Sequence, residues 1–571
     1  MTHMAPVILE QAPILSVRPP ETVSMRTRDG VRLDADVYRP DAVGPWPVLL
    51  LRLACGRRTA MTGHYAHPRW YAARGYVVVV QDVRGRGTSE GRFRPFEAER
   101  EDGADAVAWA ASLPGSKGTV GMYGSGYAGM AQLLALAERP AALRALVPAL
   151  AGWDVFTDWA TEGGAFRLAD AMGWALHCAA ESARRLEDGA AYRALLEAAR
   201  ALPLDDEIPS RPRVLREYAR HCHYDDWLTT PGPGGSWDDL SPRHALSGGT
   251  GDVSILQIGG WYDPRLTGTL EAHEALSGGS AGTVRLLVGP WDRHGAVTLA
   301  GTLLGTGGPA PYDVPSFDDL QLGWFERFLK GEMNGAERGG PIRLFDVLEH
   351  RWRDLPTLSH AAHPLHLSSD GLATRRGGGS LSDAAPKEEF LDVLVHDPRN
   401  PVPTVGGHAV PDAGPRDRAA IDARPDVAVY DTAPLTAPLT LSGPASLEIW
   451  VEADAPSFDV SAVLSAVLPD GRVLPLAQGH ARVEPGGEQR PLPVAMRALC
   501  ATLPTGSALR LSLAGSCFPA YPVNPGTGAE PGETRLVDAQ PITLLIHGGG
   551  ARPSRLLLPR GGRSSARFTD G

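Results

Sequence analysis

Cysteine is scarce in this chain of 571 residues: Cys55, Cys178, Cys222, Cys500 and Cys517 are odd in number and far apart. Such a set reads as reduced thiols, not as a disulfide framework, and favours the cytoplasm. No Lys/Arg run exists that could track phosphates, and 55 basic against 66 acidic residues leave a formal charge of −11. A nucleic-acid partner is therefore not expected. Nowhere do about eighteen apolar residues occur in succession, and Met1 to Ser16 lacks a basic stretch followed by a long apolar run. The expectation is neither membrane insertion nor secretion. Internal repeats are missing as well.

What is present is length enough for two or three hydrophobic cores. The 66 Gly and 50 Pro are spread out, which suits many short strands better than disorder. After an extension over residues 1–23, residues 24–152 alternate strand and helix signals. Strands are expected at 31–38, 48–51 and 76–81, the last with four valines in a row as in a buried sheet strand. A helix over 99–111, a strand over 119–123 and an Ala/Leu-rich helix over 127–138 follow. This alternation predicts a doubly wound α/β sheet.

Residues 153–245 change character, with helical periodicity over 166–202, and predict a helical cap. Strand signals resume at 254–258 and 283–288, and a helix over 317–329 ends at Gly331, so residues 246–338 return to the α/β core. Residues 339–571 read as an all-β domain, a jelly roll, with strands at 447–452, 460–467 and 509–513. The Gly377–Gly379 cluster and residues 485–487 are expected in its exposed loops.

Gly121-Met-Tyr-Gly-Ser-Gly-Tyr-Ala-Gly129 lies between a strand and a helix, the context of a nucleophile elbow, where a strained turn lifts one side chain above the sheet. Small residues are needed two positions before that side chain and two or three after it. Placing the vertex at 126 puts Gly124 before it and Ala128 with Gly129 after it. Placing it at Ser125 puts Tyr123 and Tyr127 at the crowded positions, so Gly126 is preferred. Glycine adopts an elbow backbone without steric penalty, and the turn can survive without a nucleophile. The same residues match Gly-x-Gly-x-x-Gly, but no acidic residue ends a following strand at the required distance. A dinucleotide cofactor is not expected, nor is any other.

The chain resembles the CocE/NonD family of cocaine-esterase-like hydrolases, related to Xaa-Pro dipeptidyl-peptidases and α-amino-acid ester hydrolases. The likeness rests on Gln81-Asp-Val-Arg-Gly-Arg-Gly-Thr-Ser-Glu-Gly91, Glu101-Asp-Gly103 with Trp109, Gly118-Thr-Val-Gly-Met-Tyr-Gly124, Gly260-Trp-Tyr-Asp263, Gly289-Pro-Trp291 and Phe518-Pro-Ala-Tyr-Pro-Val-Asn-Pro525. It implies an α/β-hydrolase core, a helical cap and a C-terminal jelly roll. The family triad implies a serine at the elbow, where this chain has Gly126, and an acid at Asp263. It also implies a histidine just after Gly-Pro-Trp, where Arg293 fills the usual slot and His294 follows one residue later. A one-residue loop insertion would return His294 to its place. The family also has an oxyanion-holding tyrosine after the second of these strands; Cys55 stands at that position, which leaves the Tyr127 backbone N–H as the remaining donor.

Asp263 and His294 can form an acid-oriented imidazole competent in proton transfer without a nucleophile. The plain alternative makes His294 a surface histidine and Asp263 an ion-pair partner of Arg293. Cys55 is a replacement nucleophile or a packed apolar residue, and Ser125 a turn residue unless the elbow is slipped. His221-Cys222-His223 does not make a metal site, because neighbours along a chain cannot all face one ion. Trp153, Trp159, Phe166 and Trp174 line the pocket or pack the core.

The expected function is acid–base chemistry on an acyl or carbonyl small molecule without an acyl-enzyme, a chemistry that suits a biosynthetic pathway. Hydrolysis by activated water, cyclisation, epimerisation and elimination all fit. The rivals are conventional ester or amide hydrolysis through Ser125 or Cys55, and a catalytically silent ligand-binding protein. A homo-oligomer is compatible with the jelly roll.

Overall fold

Four consecutive valines cannot divide into a wet and a dry face, and Val77 to Val80 are all buried in strand β4 (Val77–Asp82). Val77 and Val79 join one apolar cluster and Val78 and Val80 another, so helices cover both faces of the sheet. The computed structural model describes residues 14–58, 65–230, 232–246, 249–279, 281–299, 302–304, 313–359, 362–375, 377–484 and 491–560.

Strands β1 (Glu21–Arg26) and β2 (Arg32–Tyr38) form an antiparallel pair that leads to β4. Beyond β4 run, all parallel, β3 (Trp46–Leu53), β5 (Ser116–Ser125), β6 (Leu143–Ala149), β9 (Ser254–Tyr262) and β10 (Val284–Asp292). Helices α1 (Pro68–Ala72), α2 (Glu99–Ala111) and α3 (Tyr127–Ala137) connect the first of these strands, as crossovers between parallel strands require. The cap is inserted between β6 and β9. It comprises a π-helical turn at Phe156–Ala160, a ribbon of β7 (Thr161–Glu162) with β8 (Ala165–Phe166), the long α4 (Leu168–Arg185), α5 (Gly189–Arg200) and shorter helices to Ala245.

Two boundaries differ from those the sequence suggests. Residues 21–23 of the expected extension belong to β1, and residues 1–13 lie outside the described residues. After the short β11 (Val297–Leu299) and β12 (Thr302–Leu304), β13 (Ile342–Asp346) adds parallel to β10 and β14 (Arg351–Leu355) adds antiparallel to β13. The core therefore claims a segment expected in the jelly roll. Ile342 and Leu344 bury themselves against Leu286 and Val288 of β10, a contact that only the folded sheet edge offers.

The jelly roll pairs long antiparallel strands, among them Leu439–Ala453 with Leu492–Leu503 and Phe458–Val467 with Val473–Val483. Gly377 and Gly378 lie before the strand Gly379–Ser382, whereas Gly379, expected in the same exposed loop, is a buried strand residue; residues 485–487 lie outside the described residues. Cap and jelly roll meet at Glu162 of β7. Its Oε2 lies 2.9 Å from Arg167 of the cap and 3.1 and 3.5 Å from His408 and Arg497 of the jelly roll, and accepts the Tyr521 hydroxyl at 2.6 Å. Among the described residues no helix is long and apolar enough to cross a membrane.

Candidate active site

The turn from β5 into α3 has its strained vertex at Gly126, with φ +57° and ψ −119°. Steric clearance explains why small residues surround it. A Cβ on Gly124, itself at φ +136°, would stand 2.6 Å from the Ala128 Cβ and 2.9 Å from Leu51; one on Gly129 would stand 2.8 Å from the Ala149 carbonyl. On Gly126 a Cβ would meet nothing nearer than Trp159 at 4.0 Å. Space for a side chain exists at 126, although no side chain occupies it. Gly126 N–H donates to Ala149 O at 2.9 Å, which ties the vertex to the end of β6.

Ser125 ends β5 one residue before the vertex, and its Oγ is 2.8 Å from the hydroxyl of Tyr65, which also accepts the Ser125 N–H. Tyr65 escaped the sequence reading, which sought the oxyanion hydroxyl at a fixed offset from β3 and met Cys55 there. Burial pushes the Tyr65 phenol up to about 12, so it stays a neutral donor. Cys55 is exposed at its surface, yet the protein packed around it pushes its thiol up to about 11, away from the thiolate that attack requires. Tyr127 begins α3, so its N–H has no acceptor within the helix. Its phenol is structural, donating to Glu99 at 2.9 Å and stacked on Phe96.

Asp263 follows β9 and is fully buried. Burial, only partly offset by Arg265 and Arg497, raises its carboxyl to about 6. Its Oδ1 lies 3.5 Å from Arg265, and its Oδ2 accepts no hydrogen bond. The hydrogen bond to His294 anticipated from the sequence is thus not made in this arrangement. His294 stands exposed on the turn after β10, its backbone N–H donating to Asp292 at 2.8 Å.

Arg293 pairs with Asp170 of α4 at 2.6 Å and not with Asp263, because Asp170 presents a carboxylate that Arg265 also holds, at 2.8 Å. Despite burial, the two guanidiniums hold Asp170 down at about 2. Arg265 lies 3.9 Å over the Trp159 ring, whose far edge faces Gly126. Trp159 and Trp174 therefore wall the elbow, while Trp153 and Phe166 are buried in the core and cap. From the jelly roll, Arg497 donates to the carbonyls of Asp263 and Pro264 at 3.1 and 2.5 Å, a contact that no local motif announces. His221 bonds Asp188 while His223 packs between Trp174 and Trp227, and among the described residues no three His, Cys, Asp or Glu side chains converge as metal ligands.

The family model described as X-Pro dipeptidyl-peptidase (S15 family) matches residues 29–295, and that of the X-Pro dipeptidyl-peptidase C-terminal non-catalytic domain matches residues 334–557. Cocaine esterase of Rhodococcus sp. (strain MB1 Bresler) is 31% identical over 573 residues, covering 94% of this chain and 97% of that protein. The chain belongs to the cocaine-esterase-like (CocE/NonD) family of S15-type hydrolases. Solved structures of the same fold include an aminopeptidase from a marine sediment Thaumarchaeota archaeon, with TM-score 0.74 and 18% identity over 95% of this chain and 96% of that one. An α-amino acid ester hydrolase matches with TM-score 0.66 and 20% identity over 98% and 100%, and a CocE/NonD family hydrolase of Staphylococcus aureus with 0.68 and 17% over 95% and 94%. The CocE/NonD architecture accounts for the split α/β-hydrolase core and the C-terminal jelly roll alike.

Proposed function

We propose that this CocE/NonD protein acts on a small acyl or carbonyl compound of the ester or amide kind by acid–base chemistry, without an acyl-enzyme. One observation carries the reading: Gly126 holds the backbone of a nucleophile elbow and has no side chain with which to attack. The Tyr127 N–H and the Tyr65 hydroxyl supply two donors for a developing oxyanion. His294 transfers the proton. The unclaimed Oδ2 of Asp263 is the acceptor that orients the imidazole once the turn carrying His294 folds inward. Water-mediated hydrolysis, cyclisation, epimerisation and elimination all need no more than these groups. The ester-cleaving relatives support an acyl substrate.

A silent ligand-binding protein is the second reading, favoured by the engagement of Asp263 with Arg265 and of Arg293 with Asp170. Conventional hydrolysis would need Ser125, whose Oγ is tied to Tyr65, or Cys55, whose thiol is held protonated.

Intact-mass analysis after exposure to a fluorophosphonate tests the absence of a nucleophile. The wild type should gain no adduct and Gly126→Ser should gain one; a stoichiometric adduct on Ser125 of the wild type would overturn the reading. Against substrates turned over by the wild type, His294→Ala should abolish turnover and keep binding. A wild type that binds such compounds and converts none is the silent protein.

A further inference from the structure

The Gln81–Gly91 motif ends β4 and forms the loop after it, and one of its side chains has no role in the elbow. Arg86 is fully buried. Its Nη1 donates to the Cys178 carbonyl of α4 at 2.9 Å, while Nε and Nη2 have no hydrogen-bond partner. Among the described residues no carboxylate pairs with it. A buried guanidinium without a counter-ion is costly, and such groups are normally paired. Here the vacant donors are Nε and Nη2, the edge that presents two parallel N–H groups to the two oxygens of a carboxylate.

Arg86 lines a cavity of about 530 Å³ between the core and the cap. The wall also carries Arg92, Arg94, Arg185 and Arg220 against the acids Glu97, Asp226 and Asp239, with Arg94 facing Glu97 and Asp226 and Arg220 paired with Asp188. Arg185 lacks a carboxylate partner among the described residues; burial and the Arg86 charge both lower its pKa. Burial and Arg86 together pull His223 down to about 3, so it is neutral and cannot serve as a competing cation. Phe93, Trp227 and Trp237 make the apolar wall. Gly126, Asp263 and His294 are not among the lining residues. Trp174 separates the two places, packing on Tyr127 and Trp159 on one side and on His223 and Trp227 on the other.

We propose that this cavity is a second ligand site, separate from the elbow, which takes a small monocarboxylate with an apolar or aromatic body, its two oxygens on the Nε–Nη2 edge of Arg86. The volume suits a molecule of that size. The aromatic wall takes the body of the ligand. Phe93 stacks 3.6 Å over the face of the guanidinium, out of the plane in which a carboxylate meets the Nε–Nη2 edge; both nitrogens are closed to solvent here, so a small opening of the wall precedes binding. Phe93 sits between Gly91 and Pro95 on a loop whose backbone presses on Gly85, where a Cβ would stand 2.1 Å from the Phe93 N.

Calorimetric titration of the full chain tests the site with phenylacetate, hexanoate, the neutral phenylacetamide and inorganic phosphate. One phenylacetate or hexanoate should bind per chain, with phenylacetamide at least about tenfold weaker, the scale of one charge-assisted pair. Arg86→Met should reduce carboxylate binding to the level of the amide while leaving the melting temperature unchanged or raised, since it removes an unpaired charge. Ser236→Trp, which places an indole at an exposed position of the cavity wall, should abolish binding of acid and amide alike. Equal binding of phenylacetate and phenylacetamide, no binding of either carboxylate, binding of phosphate alone, or carboxylate binding that survives both substitutions would each overturn the proposal.

Discussion

At Asp263, burial and charge act against each other and burial wins. A carboxyl at about 6 in the folded protein, against an unfolded value near 4, holds its proton more tightly when folded. Its contribution to stability is complete below about pH 4 and is lost as pH rises through about 6. Asp263→Asn removes this dependence, and Arg265 keeps Asp170 as its partner. In urea denaturation at a series of pH values, the stability of the wild type relative to Asp263→Asn should fall by on the order of 2 kcal/mol between pH 4 and 7. A flat difference would mean that folding leaves the Asp263 carboxyl at its unfolded pKa. The sequence disclosed the elbow pattern because its sterics act among residues a few positions apart. It did not disclose Tyr65, whose hydroxyl reaches Ser125 from 60 residues away, nor the preference of Arg293 for Asp170 at a separation of 123. Both depend on where a loop and a cap helix come to rest.

For the element formed by β5, the turn and α3, close approach fixes the geometry. Ala substitution at Gly124 adds a 2.6 Å clash with Ala128 to a left-handed backbone, whereas Gly126→Ala adds backbone strain alone. We expect Gly126→Ala to lose about 1–3 kcal/mol and Gly124→Ala to lose at least about 1 kcal/mol more, read by chemical denaturation. Equal losses would mean that packing does not set the register of the turn. Helix α2 runs from Glu99 to Ala111, as its sequence pattern suggests, because three acidic residues mark its first turn and alanine fills it. Strand β13 lies in a stretch that the sequence assigns to the jelly roll without marking a strand there. Its partner β10 lies more than fifty residues earlier, and alternation within five residues says nothing about which sheet receives them.

Across the whole molecule, Glu162 joins parts of the chain that sequence reading treats as separate. Its carboxylate meets two guanidiniums, an imidazole and a phenol in a buried setting, and together they hold it well below the usual carboxylate range. Glu162→Ala would leave Arg167 and Arg497 buried without that charge. A loss of about 3–5 kcal/mol is expected, together with faster proteolysis between cap and jelly roll in a timed digest. Retention of wild-type protease resistance would show that cap and jelly roll hold together without this node.

Arg497 ties the Asp263 loop from 234 residues further along the chain, and that separation bears on how the protein comes off the ribosome. The core and cap emerge and begin to fold while the residues that hold the carbonyls of Asp263 and Pro264 have yet to be made. For much of its synthesis the nascent chain therefore carries an acid loop anchored only from within. The segment matched as non-catalytic is the one whose arrival finishes it.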